Sequence, residues 1–145
     1  MYKIAFTIFL AFIFCNVIGQ SSPGDQILGE WVNEEKDTRI EVYKNGTQYA
    51  GRLIWALNLM EADGQTLRKD VNNTEEKLRN RSVANIDLLH GFIFSEGIWD
   101  DGKMYDPKSG KTYNCLLKLR NDKLEIRGYV GIPLLGRTTY WERVL

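Results

Sequence analysis

From Thr38 onward the chain repeats one pattern: a short run in which apolar and polar side chains alternate, a cluster of Gly, Asn, Asp or Pro, then the alternation again. A period of two places every second side chain on one face of an extended strand, whereas a helix would scatter the same residues around its circumference. Ile40 and Val42 alternate with Arg39 and Glu41, Asn45-Gly46 offers a turn that tolerates positive φ, and Tyr49, Gly51, Leu53 and Trp55 resume the alternation. DLLHGFIF at 87–94 and the run opened by Gly97-Ile98-Trp99 continue it, and Asp106-Pro107-Lys108-Ser109-Gly110 supplies the next turn. Tyr113, Cys115, Leu117 and Leu119 then alternate, Asn121-Asp122 turns, Leu124, Ile126, Gly128 and Val130 return, and Gly136 opens a last strand through Val144. With ILGEWV (27–32) as the first strand, short strands joined by tight turns without crossover helices specify an all-β antiparallel barrel or sandwich of about eight strands. The one expected helix is TEEKLRNR, 74–81, with Asn73 as its N-cap and Glu76 at the third helical position.

The N-terminus has a different character. Met1-Tyr2-Lys3 precedes IAFTIFLAFIFCNVI, an apolar stretch of 15 residues. That is the form of a signal peptide and is short for a transmembrane helix. Val17 and Gly19 offer small or modest side chains before a cut after Gly19, so residues 1–19 are expected to be removed and the product to be periplasmic or secreted. A lipoprotein would acylate Cys15, but Phe14 stands where that motif wants a small residue. Residues 20–26 (QSSPGDQ) read as a polar, flexible leader without a fold role, and 27–145 as a single domain.

Cleavage would take 19 of the 145 residues and leave 126, enough for one core. It would also remove Lys3, so 18 basic residues face 19 acidic ones, a balance without a nucleic-acid or anionic-membrane footprint. Cys115 would be the remaining cysteine, which excludes a disulfide framework. Four of the six Phe leave with the signal, and the aromatic content that stays is mostly Trp and Tyr, whose polar tips need partners.

Gly29-Glu30-Trp31, IEVYKNGTQYAGRLIW, Asp70 and Asn72, LRNR ending at Arg81, WDDGKMYDPKSGKTY, RGYVG and LGRTTYWER together span Leu28 to Arg143. This combination resembles the uncharacterised secreted bacterial family catalogued as domain of unknown function 2147. In place of the family's Asn-Pro and Arg-Pro-Leu the chain reads Asn72-Asn73 and Arg81-Ser82-Val83. Proteins of this kind resemble calycins, the barrels that include lipocalins and fatty-acid-binding proteins. The resemblance implies a barrel whose closed end is made by Gly29, Trp31, Trp141 and Arg143, with the arginine of the last strand packed across the first-strand tryptophan. Such a cation–π contact is worth about 1 kcal/mol or more once desolvated.

Arg127 and Tyr129 lie two apart on one strand, and Arg137, Trp141 and Arg143 share a face of another. Facing inward, Arg127, Tyr129 and Arg137 would receive a carboxylate or phosphate head, with Tyr113 and Trp99 as apolar walls. That resembles the Arg-x-Tyr anion clamp of fatty-acid-binding proteins. Facing outward, the arginines would pair with Glu125, Glu142 or Asp106 and fix strand register. His90 and Cys115 read as packed or surface residues rather than a nucleophilic pair. Asp100, Asp101, Asp106 and Asp70 match no calcium loop, and no cofactor or metal is expected. Three functions remain open: a barrel that binds a small amphipathic or lipid-like ligand, an envelope interaction module filled solid by its own side chains, and an enzyme of unknown reaction using acids and arginines. The register of the last three strands decides among the site residues, and sequence leaves it free.

Overall fold

The computed structural model describes residues 21–145, so the signal segment expected at 1–19 lies outside the described residues. Eight strands follow one another in chain order: β1 (Gly29–Asn33), β2 (Thr38–Asn45), β3 (Gln48–Ala56), β4 (Asp87–Ser95), β5 (Ile98–Asp106), β6 (Lys111–Arg120), β7 (Lys123–Tyr129) and β8 (Arg137–Arg143). Each pairs antiparallel with the next, and β8 returns to β1 through Trp31↔Arg143, Val32↔Glu142 and Asn33↔Trp141. Of barrel and sandwich, the closed barrel is the fold, and closure leaves no strand edge to template association.

The turns have the chemistry that their dihedrals demand. Asn121 and Asp122 carry φ of 50° and 60°, the pattern of a two-residue hairpin whose twist matches its strands. Strand alternation is interrupted where the barrel bends. In β5 the register slips between Trp99 and Gly102, with Asp101 at φ 60°, so Trp99 and Gly102 both face the core across two exposed aspartates. Gly102 must be glycine because the Phe92 ring lies directly over its Cα, where any Cβ would overlap the ring.

One half of the interior is solid. Trp31, Phe92, Trp99, Ile40, Leu117 and Leu124 are fully buried there. Residues 22–26, within the leader expected to have no fold role, plug this end together with Ile27. Pro23–Ile27 form a 3₁₀ turn capped by Ser22, and Ile27 is fully buried. The turn's carbonyls satisfy the two deepest indoles: Trp99 Nε1 donates to Gly24 O at 3.1 Å and Trp31 Nε1 to Ile27 O at 2.9 Å. Asp25 accepts from Tyr49 Oη at 2.7 Å and Lys44 Nζ at 2.8 Å, and the Lys44 and Tyr49 bonds hold its carboxyl below the usual range. The correction has a simple cause: buried tryptophans need acceptors, and a barrel's own ladder has none to spare.

The expected helix at 74–81 shrinks to a 3₁₀ turn at Glu76–Leu78. Its sequence offers one apolar side chain, Leu78, and so no stripe with which to pack a longer helix. The shortened turn has its N-cap at Glu75, while the Asn73 side-chain oxygen still accepts from Glu75 N–H at 2.8 Å and its amide donates to Asp70 Oδ2 at 2.8 Å and to the Tyr105 hydroxyl at 3.1 Å.

Candidate functional site

The barrel's other end is open. The β1–β2, β3–β4 and β5–β6 connections, with Arg137 at the start of β8, surround a cavity of about 1010 Å³ that reaches down to Ile40, Leu53, Leu89 and Ile126. Its walls follow from the inward positions of alternating strands: Met104 and Tyr113, partners across β5 and β6, and Thr139 and Trp141 on β8. Trp141 Nε1 donates to Thr139 Oγ1 at 3.0 Å, so the indole's polar edge is satisfied while the side chain lines the cavity and packs against the core. Gly128 keeps the space open on β7, with Met104 Cε resting over its Cα.

The mouth carries charge of both signs. Asp37 is committed to Asn33 Nδ2 at 2.7 Å and Thr38 Oγ1 at 2.8 Å, bonds that hold its carboxyl low. Asp106 accepts from the Lys108 backbone N–H and the Ser109 hydroxyl of its own turn, and Glu61 faces Arg68 at 4.0 Å. Lys69, Lys108 and Arg137 also line the cavity and form no ion pair among the described residues. The arrangement can therefore take an apolar body inside and an anionic or polar group at the rim.

The expected site residues divide. Arg137 and Tyr113 line the cavity together. Arg127 and Tyr129 do not: Leu124, Ile126 and Gly128 take the inward positions of β7, so both point to the outside. Arg127 is spent on the β7–β8 loop, donating to Pro133 O at 2.7 Å, Thr138 Oγ1 at 2.7 Å and Leu134 O at 3.2 Å. Of the three residues expected to form a clamp, Arg137 alone lines the cavity. Trp99 is not a cavity wall either, since it lies in the solid half against Phe94, ring centroids 4.8 Å apart.

At the closed end, Arg143 Cζ lies 4.3 Å over the Trp31 ring, and its guanidinium donates to Leu28 O at 2.8 Å and Gln26 O at 2.6 Å. Gly29 has φ +117°, and a Cβ there would come within 3.2 Å of the Arg143 guanidinium. Trp141, expected beside them, lines the cavity instead. Cys115 is buried among apolar neighbours, and that burial, with Asp100 adding to it, pushes its thiol up to about 12, so it stays protonated. His90 is exposed on β4. Among the described residues no group of three or more His, Cys, Asp or Glu comes together to hold a metal.

Sequence reasoning did not assemble the cluster that fastens the β3–β4 loop to the barrel. Asp70 is fully buried, and its carboxylate accepts from Tyr105 Oη at 2.5 Å, Asn73 Nδ2 at 2.8 Å, and Arg81 Nε and Nη2 at 2.9 and 2.8 Å. Burial works to raise the Asp70 carboxyl, but these donors outweigh it and hold it below the usual range. Burial, seconded by Asp70, pushes the Tyr105 hydroxyl up to about 12. The residues come from four points of the chain, and the pattern that marked Asp70 and Arg81 carried no hint that they meet.

The profile of a family described as an uncharacterized protein conserved in bacteria, DUF2147, matches residues 29–143, the whole barrel. Protein HP1028 from the human pathogen Helicobacter pylori, described as belonging to the lipocalin family, has a similar solved structure. The two agree with a TM-score of 0.71 and 25% identity over 82% of this chain and 83% of that one. No curated protein matches the chain.

Proposed function

The chain belongs to the bacterial family whose profile spans its barrel, and from that premise we propose that it is an exported carrier of one small amphipathic molecule. The apolar part lies against Ile126, Leu89, Met104 and Trp141, and the polar head sits at the mouth with Arg137 as its principal contact. The observation that carries the reading is the contrast between the two ends: aromatic side chains fill one half, while a cavity of about 1010 Å³ occupies the other. An interaction module filled by its own side chains would have no use for that space, which is of the size that ligand sites occupy, roughly 300–1,000 Å³. The likeness to a protein described as a lipocalin supports the same reading. Export rests on residues 1–19, read as a signal peptide.

Titration with a dansyl-labelled single-chain fatty acid tests the site, with energy transfer from the protein's tryptophans, Trp141 in the cavity wall among them, as the readout. Arg137→Ala is expected to weaken binding about tenfold, the loss of one charged contact of about 1.4 kcal/mol. Arg127→Ala is expected to leave affinity unchanged. Equal affinity in the parent and Arg137→Ala would remove Arg137 from the site, and an absence of saturable transfer in the parent would overturn the binding reading.

A further inference from the structure

The β7–β8 connection holds the largest concentration of bare apolar side chains in the described barrel. Val130, Ile132, Leu134 and Leu135 are 73, 54, 81 and 76% exposed, on six consecutive residues that include a 3₁₀ turn at Pro133–Leu135. Solvent-exposed loops are ordinarily polar, and an apolar tip of this kind marks a contact surface. The tip is also held in shape. Arg127 grips it through Pro133 O and Leu134 O, Thr138 braces the same guanidinium, and Leu135 N–H and Gly136 N–H close the turn on Ile132 O and Pro133 O. A charged side chain is thus used to fix an apolar tip in a presented conformation.

We propose that this tip inserts into the interfacial layer of a lipid bilayer and brings the cavity mouth to the membrane surface. Three features favour a bilayer over a protein surface. First, the four side chains sit on one short connection around the turn at Pro133–Leu135, and no residue of 130–136 lines the cavity, so the tip stands outside it. Second, the segment from Arg127 to Arg137 contains two arginines and no acid. The two stand at the tip's base, Arg137 paired with Gly128 in the β7–β8 ladder, and neither makes an ion pair among the described residues. Arg127 is satisfied by neutral oxygens, so its positive charge is left for headgroup phosphates, and apolar side chains above a cationic base are the arrangement of an interfacial anchor. The near-zero charge of the whole chain conceals this local asymmetry. Third, Arg137 ends the tip and also lines the cavity, so insertion would place the ligand entrance where an amphipathic molecule resides. This last point rests on the proposed carrier function; the first two do not.

The test is flotation of the protein, isolated after expression of the whole chain, with vesicles of equimolar phosphatidylethanolamine and phosphatidylglycerol. Depth is read at the tip itself through Leu134→Trp and quenching by bromine-labelled acyl chains, against the parent's own tryptophan signal. Quenching of the added tryptophan is expected, together with a fall of about tenfold or more in vesicle partition for the double variant Leu134→Ser/Leu135→Ser. Both side chains are exposed, so the double variant is expected to keep the parent's melting temperature. An unquenched tryptophan, or equal partition of parent and double variant, would overturn the proposal. So would a concentration-dependent dimer dispersed by the same substitutions, which would assign the tip to a second copy. Dansyl-fatty-acid binding in the double variant separates this proposal from the carrier function: retained ligand with lost vesicle binding supports both, and retained vesicle binding overturns the anchor while the carrier function stands or falls on ligand binding by the parent.

Discussion

Removing the Asp70 carboxylate should do more damage than any other single polar change in the barrel. Its oxygens accept from three side chains, Tyr105, Asn73 and Arg81, and no water-exposed surface remains to rehydrate it. Hydrogen bonds to a charged group are worth about 1.5–3 kcal/mol each, and breaking a buried ion pair costs about 3–5 kcal/mol. Arg81 is partly exposed and can turn to solvent, but Asn73 and Tyr105 cannot, so Asp70→Ala is expected to lose about 3 kcal/mol. Because the cluster ties residues 69–83 to β5, the loss should also be local: amide exchange should quicken across the β3–β4 loop before the strands open. Urea unfolding followed by tryptophan fluorescence gives the global value, and hydrogen exchange gives the local one. A loss under about 1 kcal/mol with unchanged exchange in the loop would refute the clamp. The pH dependence gives a second check. The folded carboxyl lies below its unfolded value, so its stabilisation is present above about pH 4 and is lost as pH falls through the lowered value. The Tyr105 hydroxyl is raised to about 12, so its share is intact below about pH 10 and is lost as pH rises toward 12. Tyr105→Phe should abolish the alkaline limb and, by removing one of the donors that hold Asp70 low, reduce the acid limb as well.

Arg143→Ala should cost about 2 kcal/mol, the cation–π contact with Trp31 together with the bonds to Leu28 O and Gln26 O, measured as a lowered urea midpoint at unchanged slope. Gly102→Ala should cost about 1–3 kcal/mol by forcing the Phe92 ring aside, and Phe92→Leu in the same chain should restore part of it; equal melting temperatures for parent and Gly102→Ala would contradict the packing described. Arg127→Ala should raise amide exchange at Leu135 and Gly136, whose turn it holds, and leave the melting temperature within a few degrees of the parent.

The strands and turns were legible because each is a local pattern: Asn45-Gly46 and Asn121-Asp122 state their turns, and Ile40/Val42 and Leu124/Ile126 state a buried face. What escaped depends on register and on distance along the chain. Arg127 and Tyr129 share a strand with Ile126 and Gly128, and only closure of the barrel decides which pair faces inward. Trp99 borders a turn-rich segment in sequence, yet a slip in β5 and the indole's need for Gly24 O place it in the solid half. Caps and propensity suggest a helix at 74–81, yet with one apolar side chain to pack it only the turn at Glu76–Leu78 forms, and Asn73 both caps Glu75 N–H and joins the Asp70 cluster. Residues 20–26 read as a dispensable leader because the role of this segment and Ile27, supplying acceptors to Trp99 and Trp31, is visible only from the other side of the contact.

The central claim is that the open half of this barrel holds a guest. Native mass spectrometry of the protein as purified, repeated after incubation with a lipid extract and after denaturation, tests it most directly. The account predicts an added mass with a stoichiometry of one per chain, released on denaturation and diminished in Arg137→Ala. A bare polypeptide mass before and after incubation, in a protein that melts cooperatively, would contradict it.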